Sequence, residues 1–315
     1  MIEVKGLTKR YGPHRAVADA SFTVNSGGIV GFLGPNGAGK STTMNVITGY
    51  ISASSGMVLI DGDNILEYPE RCKGKIGYLP ENPPLYDDMT VDEYLQLVSQ
   101  LKKVPSARIR DQLHTIVERT GLGDVRRRLV GNLSKGYRQR VGIAQALVGE
   151  PEILILDEPT SGLDPHQIIE IRDLIRSLRQ EHTIVLSSHI LPEVSAVCDR
   201  FIIIFDGTIV ADGSAESLAE SYARTPTIVL RVATGKEGAL EALEPVAPQA
   251  DIEVVPSEEP ESTQLRISSK EGADLRSDLF FALAEAGVPI LALRTDNLTL
   301  EDIFLRATVG NGEGA

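Results

Sequence analysis

Cysteine is nearly absent: Cys72 and Cys198 are the only two in 315 residues. Their spacing fits neither a metal-ligand pair nor a disulfide framework, so inert thiols in a reducing compartment are expected. Long apolar runs are missing as well. The longest are strand-sized, far short of the roughly 20 residues a membrane-spanning helix needs. The opening Met-Ile-Glu-Val-Lys-Gly lacks the pattern of a secretory signal. A cytoplasmic chain is expected, and any membrane it serves must be crossed by another polypeptide. Basic charge is in deficit too. The net charge is −13, and residues 225–315 hold 16 acidic against 7 basic side chains, or −9 of that total. Such a surface argues against nucleic acid or anionic lipid as the main partner of that C-terminal region. No internal repeat is visible.

What remains is ordinary globular material, 42% hydrophobic and 24% charged, long enough for two domains. Residues 28–33, 75–79, 153–156 and 183–187 are continuous apolar segments of strand length. Between them lie helical patterns, among them Val91, Tyr94, Leu95 and Val98, then Ile109, Leu113, Ile116 and Val117. Thr90 followed by Glu93 has the form of a capping box. Buried strands alternating with helices predict an α/β fold with a parallel sheet covered on both faces. Residues 201–205 and 208–211 form an expected hairpin around Asp206-Gly207. A boundary is expected near residue 224, giving a domain of residues 1–224 with a helical subdomain at about 85–150. Residues 225–308 then read strand, helix, strand, strand, helix, strand and a closing helix. That order predicts a small α+β accessory domain of ferredoxin-like type. Residues 309–315 form an expected disordered tail.

Residues 34–42 read Gly-Pro-Asn-Gly-Ala-Gly-Lys-Ser-Thr and fit G-x-x-x-x-G-K-[ST]. Glycine lets the backbone curl so that successive N–H groups face a phosphate chain. Gly34, Asn36, Gly37, Gly39 and Thr42 belong to this loop. Lys40 is placed to reach the β- and γ-phosphates, and the Ser41 hydroxyl to ligate Mg²⁺. A buried strand before the loop and a helix after it supply the context the motif needs. Downstream, Ile153-Leu-Ile-Leu-Asp157-Glu158 ends a buried strand in two carboxylates. Asp157 suits Mg²⁺, and Glu158 suits polarising a water that attacks the γ-phosphate.

Between these motifs stands Asn132-Leu-Ser-Lys-Gly-Tyr-Arg-Gln-Arg140. With it the chain resembles the nucleotide-binding subunit of an ABC transporter: Leu133, Ser134 and Gly136 match the family's Leu-Ser-Gly-Gly-Gln signature, while Lys135 and Tyr137 depart from it. The resemblance implies an ATPase of P-loop NTPase fold, ABC type, with ATP and Mg²⁺ as cofactors. It implies that Ser134 and Gly136 act on the nucleotide held by a second copy, in a homodimer or a pair of ATPase subunits. It implies that Ser161-Gly-Leu-Asp164 links the two sites, that His189 contacts the γ-phosphate, and that Tyr11 stacks on adenine. His14, His114, His166 and His182 are read as structural. Glu81 stands where the family usually has Gln, and is expected in the Mg²⁺ shell.

The segment from Glu81 to Tyr94 carries Leu85, Tyr86 and Met89 between prolines and acids, and these apolar side chains are expected to be exposed. In the family this segment meets the coupling helix of a separate transmembrane permease, which implies a peripheral location on the inner face of the membrane. Leu298-Thr-Leu-Glu-Asp-Ile-Phe304, with Gly-Tyr-Leu-Pro-Glu81, resembles the type-2 exporter group of drug, sodium, polysaccharide and gliding-motility systems. The alternatives are an importer ATPase with a ligand-sensing C-terminal domain and a soluble ATP-dependent regulatory protein.

Overall fold

The computed structural model describes residues 1–222, 227–257, 259–270, 273–296 and 300–309. The expected boundary at residues 224–226, Leu298 and the tail from residue 310 lie outside them. Contacts divide the chain into two compact units between Ala215 and Glu216.

The first unit holds two sheets. Strands β1 (Ile2–Tyr11), β2 (His14–Val24), β4 (Ser55–Ile60) and the short β5 (Asp63–Asn64) form an antiparallel sheet in the order β2-β1-β4-β5. Strands β3 (Ile29–Leu33), β6 (Ile76–Leu79), β7 (Ile153–Asp157), β8 (Thr183–Ser188), β9 (Arg200–Phe205) and β10 (Thr208–Gly213) form the second, ordered β10-β9-β3-β8-β7-β6. The five strands from β9 to β6 are parallel, and β10 returns antiparallel in the expected hairpin.

The parallel strands read as unbroken apolar runs because both faces are covered. Along β7, Leu154 and Leu156 enter one hydrophobic cluster, together with Ile184 and Leu186 of β8 and the apolar faces of the helical region. Ile153 and Ile155 point the other way, into a cluster with Val185, Phe32 and the inner face of the antiparallel sheet. The two-residue period of a strand thus sorts one apolar run into two cores. Each fully buried Ile or Leu contributes roughly 1.5–3 kcal/mol over leaving it in water.

Seven helices accompany these sheets. They are α1 (Lys40–Ile47), α2 (Pro69–Gly74), α3 (Val91–Leu101), α4 (Ser106–Arg119), α5 (Lys135–Leu147), α6 (Pro165–Leu178) and α7 (Leu191–Ser195). The capping box expected at Thr90 is present at the start of α3: Glu93 N–H donates to Thr90 Oγ1 at 3.3 Å, and Thr90 N–H donates to Glu93 Oε2 at 2.8 Å. At the far end of α5, the Lys102 ammonium donates to the carbonyls of Ala146 and Val148 at 3.2 and 2.7 Å, a cation on the negative end of the helix. Helix α5 packs closely on β6; a Cβ at Gly77 would fall 2.2 Å from the Ala146 carbonyl oxygen.

One expectation fails in the loop before α3. Leu85 and Met89 are not exposed; both pack against the core cluster of the helical region. The Met89 carbonyl accepts from Val130 N–H at 2.8 Å, which turns the loop inward over the end of that region. Tyr86 alone stays outside, 53% exposed, with its ring edge-on to Tyr94.

In the second unit, α8 (Ala215–Tyr222) is followed by β11 (Thr227–Val232), α9 (Lys236–Ala242), β12 (Ala250–Val255), β13 (Thr263–Ser269), α10 (Arg276–Glu285), β14 (Ile290–Asp296) and α11 (Leu300–Val309). The strands pair antiparallel in the order β12-β13-β11-β14. Ile228, Leu230 and Val232 alternate onto the face shared with Leu279 and Leu283 of α10, forming this unit's own core.

Candidate functional site

Leu33 ends β3 and Lys40 begins α1, so the six residues between them make a loop at the carboxyl edge of the parallel sheet. Helix α1 has no side-chain cap; its cap residue is Gly39, at φ 106. A Cβ there would sit 2.4 Å from the Ala16 carbonyl oxygen, so the turn accepts only glycine on both conformational and steric grounds. The first-turn N–H groups of such a helix have no partners within it and are free for an anion.

The loop opens into a cleft of about 620 Å³ lined by Tyr11, Asn36, Gly37, Gly39, Lys40, Ser41, Thr42, Glu81, Glu158 and His189. All ten belong to the set expected from the sequence. An adjoining cleft of about 460 Å³ brings Asp157 to Ser41 and Glu81. Lys40 is buried; its ammonium donates to the carbonyls of Gly34 and Pro35 at 2.9 and 3.3 Å and lies 3.3 Å from Glu158 Oε1. The other Glu158 oxygen accepts from His189 Nδ1 at 2.8 Å. Because a carboxylate only accepts, that ring nitrogen carries the hydrogen and Nε2 is left for another partner. Glu158 holds φ 50, a left-handed conformation for a residue with a side chain, directly after the last residue of β7. Such backbone persists where its surroundings over-determine it.

Asp157 is 2% exposed. Burial raises its carboxyl above the usual range; hydrogen bonds from the Ser187 and Ser41 hydroxyls pull the other way, and the nearby Glu158 and Glu81 charges raise it further. Tyr11 is half exposed at the end of β1, with the Lys9 ammonium 5.2 Å from its ring centre.

Ser134, Gly136 and Asp164 do not line this cleft. Ser134 is the exposed N-cap of α5 and accepts from Tyr137 N–H at 3.4 Å. Asp164 caps α6 by accepting from Gln167 N–H at 2.9 Å. The two caps are neighbours: a Cβ at Gly136 would meet Gln167 at 2.8 Å, and one at Gly162 would meet the Lys135 ammonium at 2.1 Å. The start of α5 and the loop before α6 therefore form one surface.

His14, read as structural, in fact lines the cleft, because the turn between β1 and β2 places it three residues from Tyr11 at the cleft's rim. Ser161 lines it as well, with its N–H on the Glu158 carbonyl at 3.1 Å. His182 is structural as expected, its Nδ1 2.7 Å from the Pro151 carbonyl. His114 and His166 lie on helix surfaces beside Glu118 and Glu170.

A parallel sheet with a glycine-rich loop, lysine and two carboxylates at its carboxyl edge defines a P-loop nucleoside triphosphatase. The sequence model of the ABC transporter family matches residues 17–161. An ABC transporter ATP-binding protein of Bacillus subtilis, YxlF, is 36% identical over 241 residues, covering 76% of this chain and 80% of the relative. The bacitracin transport ATP-binding protein BcrA of Bacillus licheniformis is 40% identical over 214 residues, covering 67% and 69%. A solved ATP-binding subunit of an ABC transporter has TM-score 0.65 and 31% identity, covering 71% of this chain and 93% of that one. A solved dimeric cassette in a post-hydrolysis state bound to ADP and Pi has TM-score 0.62 and 26% identity, covering 68% and 98%. The chain belongs to the ABC transporter ATP-binding family. It binds ATP and hydrolyses it to ADP and phosphate to power transport across a membrane. None of its described helices is long and apolar enough to cross one.

Proposed function

We propose that two copies of this chain close head to tail over two ATP·Mg²⁺ and that this closure drives a separate transmembrane permease in the direction of export. The carrying observation is a separation: Lys40, Glu158 and His189 line the cleft, while the exposed Ser134 and the buried Gly136 lie outside it at the start of α5. Phosphate held in one cleft meets a signature helix only when a second copy supplies it. Asp164 and the loop before it share that surface and face the same partner. Export agrees with the relatives that serve lantibiotic and bacitracin transport.

In this reading Tyr11 stacks on the adenine. The loop N–H groups of residues 36–42 and the Lys40 ammonium hold the phosphates; nucleotide draws Lys40 from the Gly34 and Pro35 carbonyls. The Mg²⁺ donors are hard oxygens, the Ser41 hydroxyl with Asp157 and Glu81, as such a cation requires. These oxygens would hold Mg²⁺, which would offset charge on the phosphate oxygens. Glu158 takes the proton from the attacking water, and His189 holds that carboxylate by its Nδ1–H and offers Nε2 to the γ-phosphate. Lys40 and the incoming end of α5 stabilise the charge of the transition state. Residues 1–224 form the ATP-binding domain and residues 225–308 a ferredoxin-like accessory domain, a reading its antiparallel β12-β13-β11-β14 order supports. The protein sits on the inner face of the membrane through the permease.

Glu158→Gln tests the core of this. The variant with ATP and Mg²⁺ is expected to elute as a dimer that turns over at least about 100-fold more slowly, in line with loss of a general base. A variant that hydrolyses at the unaltered rate removes Glu158 from that role. For Glu81, equal Mg²⁺ dependence of the ATPase in Glu81→Gln and the unaltered chain removes it from the metal shell.

A further inference from the structure

We propose that Ser187 is the positioning residue for both carboxylates of this site, one hydroxyl that aims Asp157 at the metal and holds the turn that presents Glu158. The inference rests on the Mg²⁺ reading above and concerns a residue outside the phosphate loop and outside the cleft.

Ser187 lies on β8, directly opposite Asp157 in the parallel pairing of β7 and β8. It is wholly buried, at 0% exposure. Its hydroxyl has one hydrogen to give and lone pairs to receive, and both capacities are used. Oγ donates to Asp157 Oδ1 at 2.5 Å. The same oxygen accepts from the Glu158 N–H at 3.0 Å, and the Ser187 carbonyl accepts from that N–H at 3.2 Å.

Two consequences follow. Asp157 has one oxygen occupied by Ser187 and is also hydrogen-bonded to the Ser41 hydroxyl, so its carboxylate plane is fixed between the two serines. A hydrogen bond to a charged acceptor in a buried setting is short and strong, and outer partners of this kind orient metal ligands. The second consequence concerns backbone. Glu158 is held at φ 50, a left-handed conformation that is unfavourable for a residue with a side chain. Its N–H is anchored on both acceptors of Ser187, which determines the peptide plane and with it the direction of the Glu158 side chain toward Lys40 and His189. One serine therefore sets the spacing between the metal carboxylate and the water-activating carboxylate.

The test uses the full chain and a non-hydrolysable ATP analogue. Equilibrium binding is measured in EDTA and across a Mg²⁺ titration for the unaltered chain, Ser187→Ala and Ser187→Thr, with thermal melts to establish that each is folded. For Ser187→Ala, affinity in EDTA is expected within twofold of the unaltered chain, while the Mg²⁺ concentration for half-maximal enhancement rises about 10–100-fold. Ser187→Thr keeps the hydroxyl and is expected to restore the Mg²⁺ response to within about threefold. Bound Mn²⁺ followed by its magnetic resonance signal is expected to weaken in the same order, independently of turnover.

An unchanged Mg²⁺ response in folded Ser187→Ala overturns the proposal. So does an equal loss in EDTA and in Mg²⁺, the mark of general damage to the fold, and so does a folded Ser187→Thr that behaves as Ser187→Ala. If the unaltered chain binds the analogue with no Mg²⁺ dependence, the metal reading itself fails, which is a separate result.

Discussion

Lys40 and Glu158 form a buried ion pair, Nζ to Oε1 at 3.3 Å, with side-chain exposures of 6% and 7%. The pair joins the start of α1 to the end of β7, more than a hundred residues apart in the chain. Removing one member of a buried pair strands the other's charge and costs about 3–5 kcal/mol, whereas replacing both is far milder. Lys40→Met is therefore expected to destabilise the nucleotide-free protein by about 3 kcal/mol, the lower end because His189 still holds Glu158. Adding Glu158→Gln to it is expected to recover most of that loss. Urea unfolding of the two single variants and the double measures the coupling; strictly additive losses refute it.

Gly39→Ala is expected to remove nucleotide binding and to cost about 2–3 kcal/mol, since positive φ and the Ala16 carbonyl at 2.4 Å both oppose a Cβ. Gly62→Ala is the matched control. Gly62 also has positive φ, at 85°, but no atom lies within 4 Å of its Cβ position, so only the strain of about 1 kcal/mol remains and nucleotide binding persists. Isothermal titration with ATP and thermal melts on both variants compare the two.

The reciprocal cap at Thr90 holds the first turn of α3, which packs Val91, Tyr94 and Leu95 into the core. Thr90→Ala is expected to lower stability by about 1 kcal/mol, and Thr90→Ser to retain most of it. Chemical denaturation checks both. Equal losses in the two variants locate the effect in packing rather than in the hydroxyl.

Asp61 lies 2.5 Å from the Lys75 ammonium and 2.5 Å from the Met1 amino group. The hydrogen bond from Lys75, then that from the amino terminus, holds its carboxyl below the usual range, and Asp61 in turn raises Lys75. A depressed acid contributes stability that is present above its unfolded pKa of about 3.9 and is lost as pH falls further. The raised base contributes below about 10.4 and loses that contribution as pH rises beyond it. Asp61→Asn is expected to cost about 0.2–1 kcal/mol near neutrality, the range for a solvent-facing pair. Its difference from the unaltered chain should close as pH drops below about 4 and shrink in high salt. Stability measured from pH 3 to pH 8 follows the difference; a gap constant across that range excludes the charge pair as its cause.

Much of this protein was legible in its residues. The glycine-rich loop, the carboxylate pair after an apolar strand, the Thr90–Glu93 cap and the hairpin at Asp206-Gly207 are local patterns, each determined by neighbours a few positions away. The same holds for the element order of the second unit, where the apolar run of residues 228–230 with Val232 reads as a strand and places Ile228, Leu230 and Val232 in the core. Leu85 and Met89 were misread because prolines and acids beside them imply exposure, while the packing that covers them comes from the loop ending in Val130 and the helical core.

His14 and Ser161 share a gap of another kind. His14 belongs to no motif, and Ser161 only opens the Ser161-Gly-Leu-Asp164 segment; each reaches the cleft because a turn or a strand end elsewhere has placed it there. The signature residues show the reverse. The family resemblance implied that they act on another copy's nucleotide, away from their own cleft; that the start of α5 shares a surface with the loop before α6 depended on how α5 and α6 pack.

By itself the sequence determined the phosphate loop, the buried strands and the acids at their ends, because backbone conformation and apolar periodicity are properties of contiguous residues. Tertiary structure alone decided that Ser187 faces Asp157 and Glu158 and that Lys40 meets Glu158. Strand register and helix placement result from packing two cores at once, and no local pattern in the chain carries them.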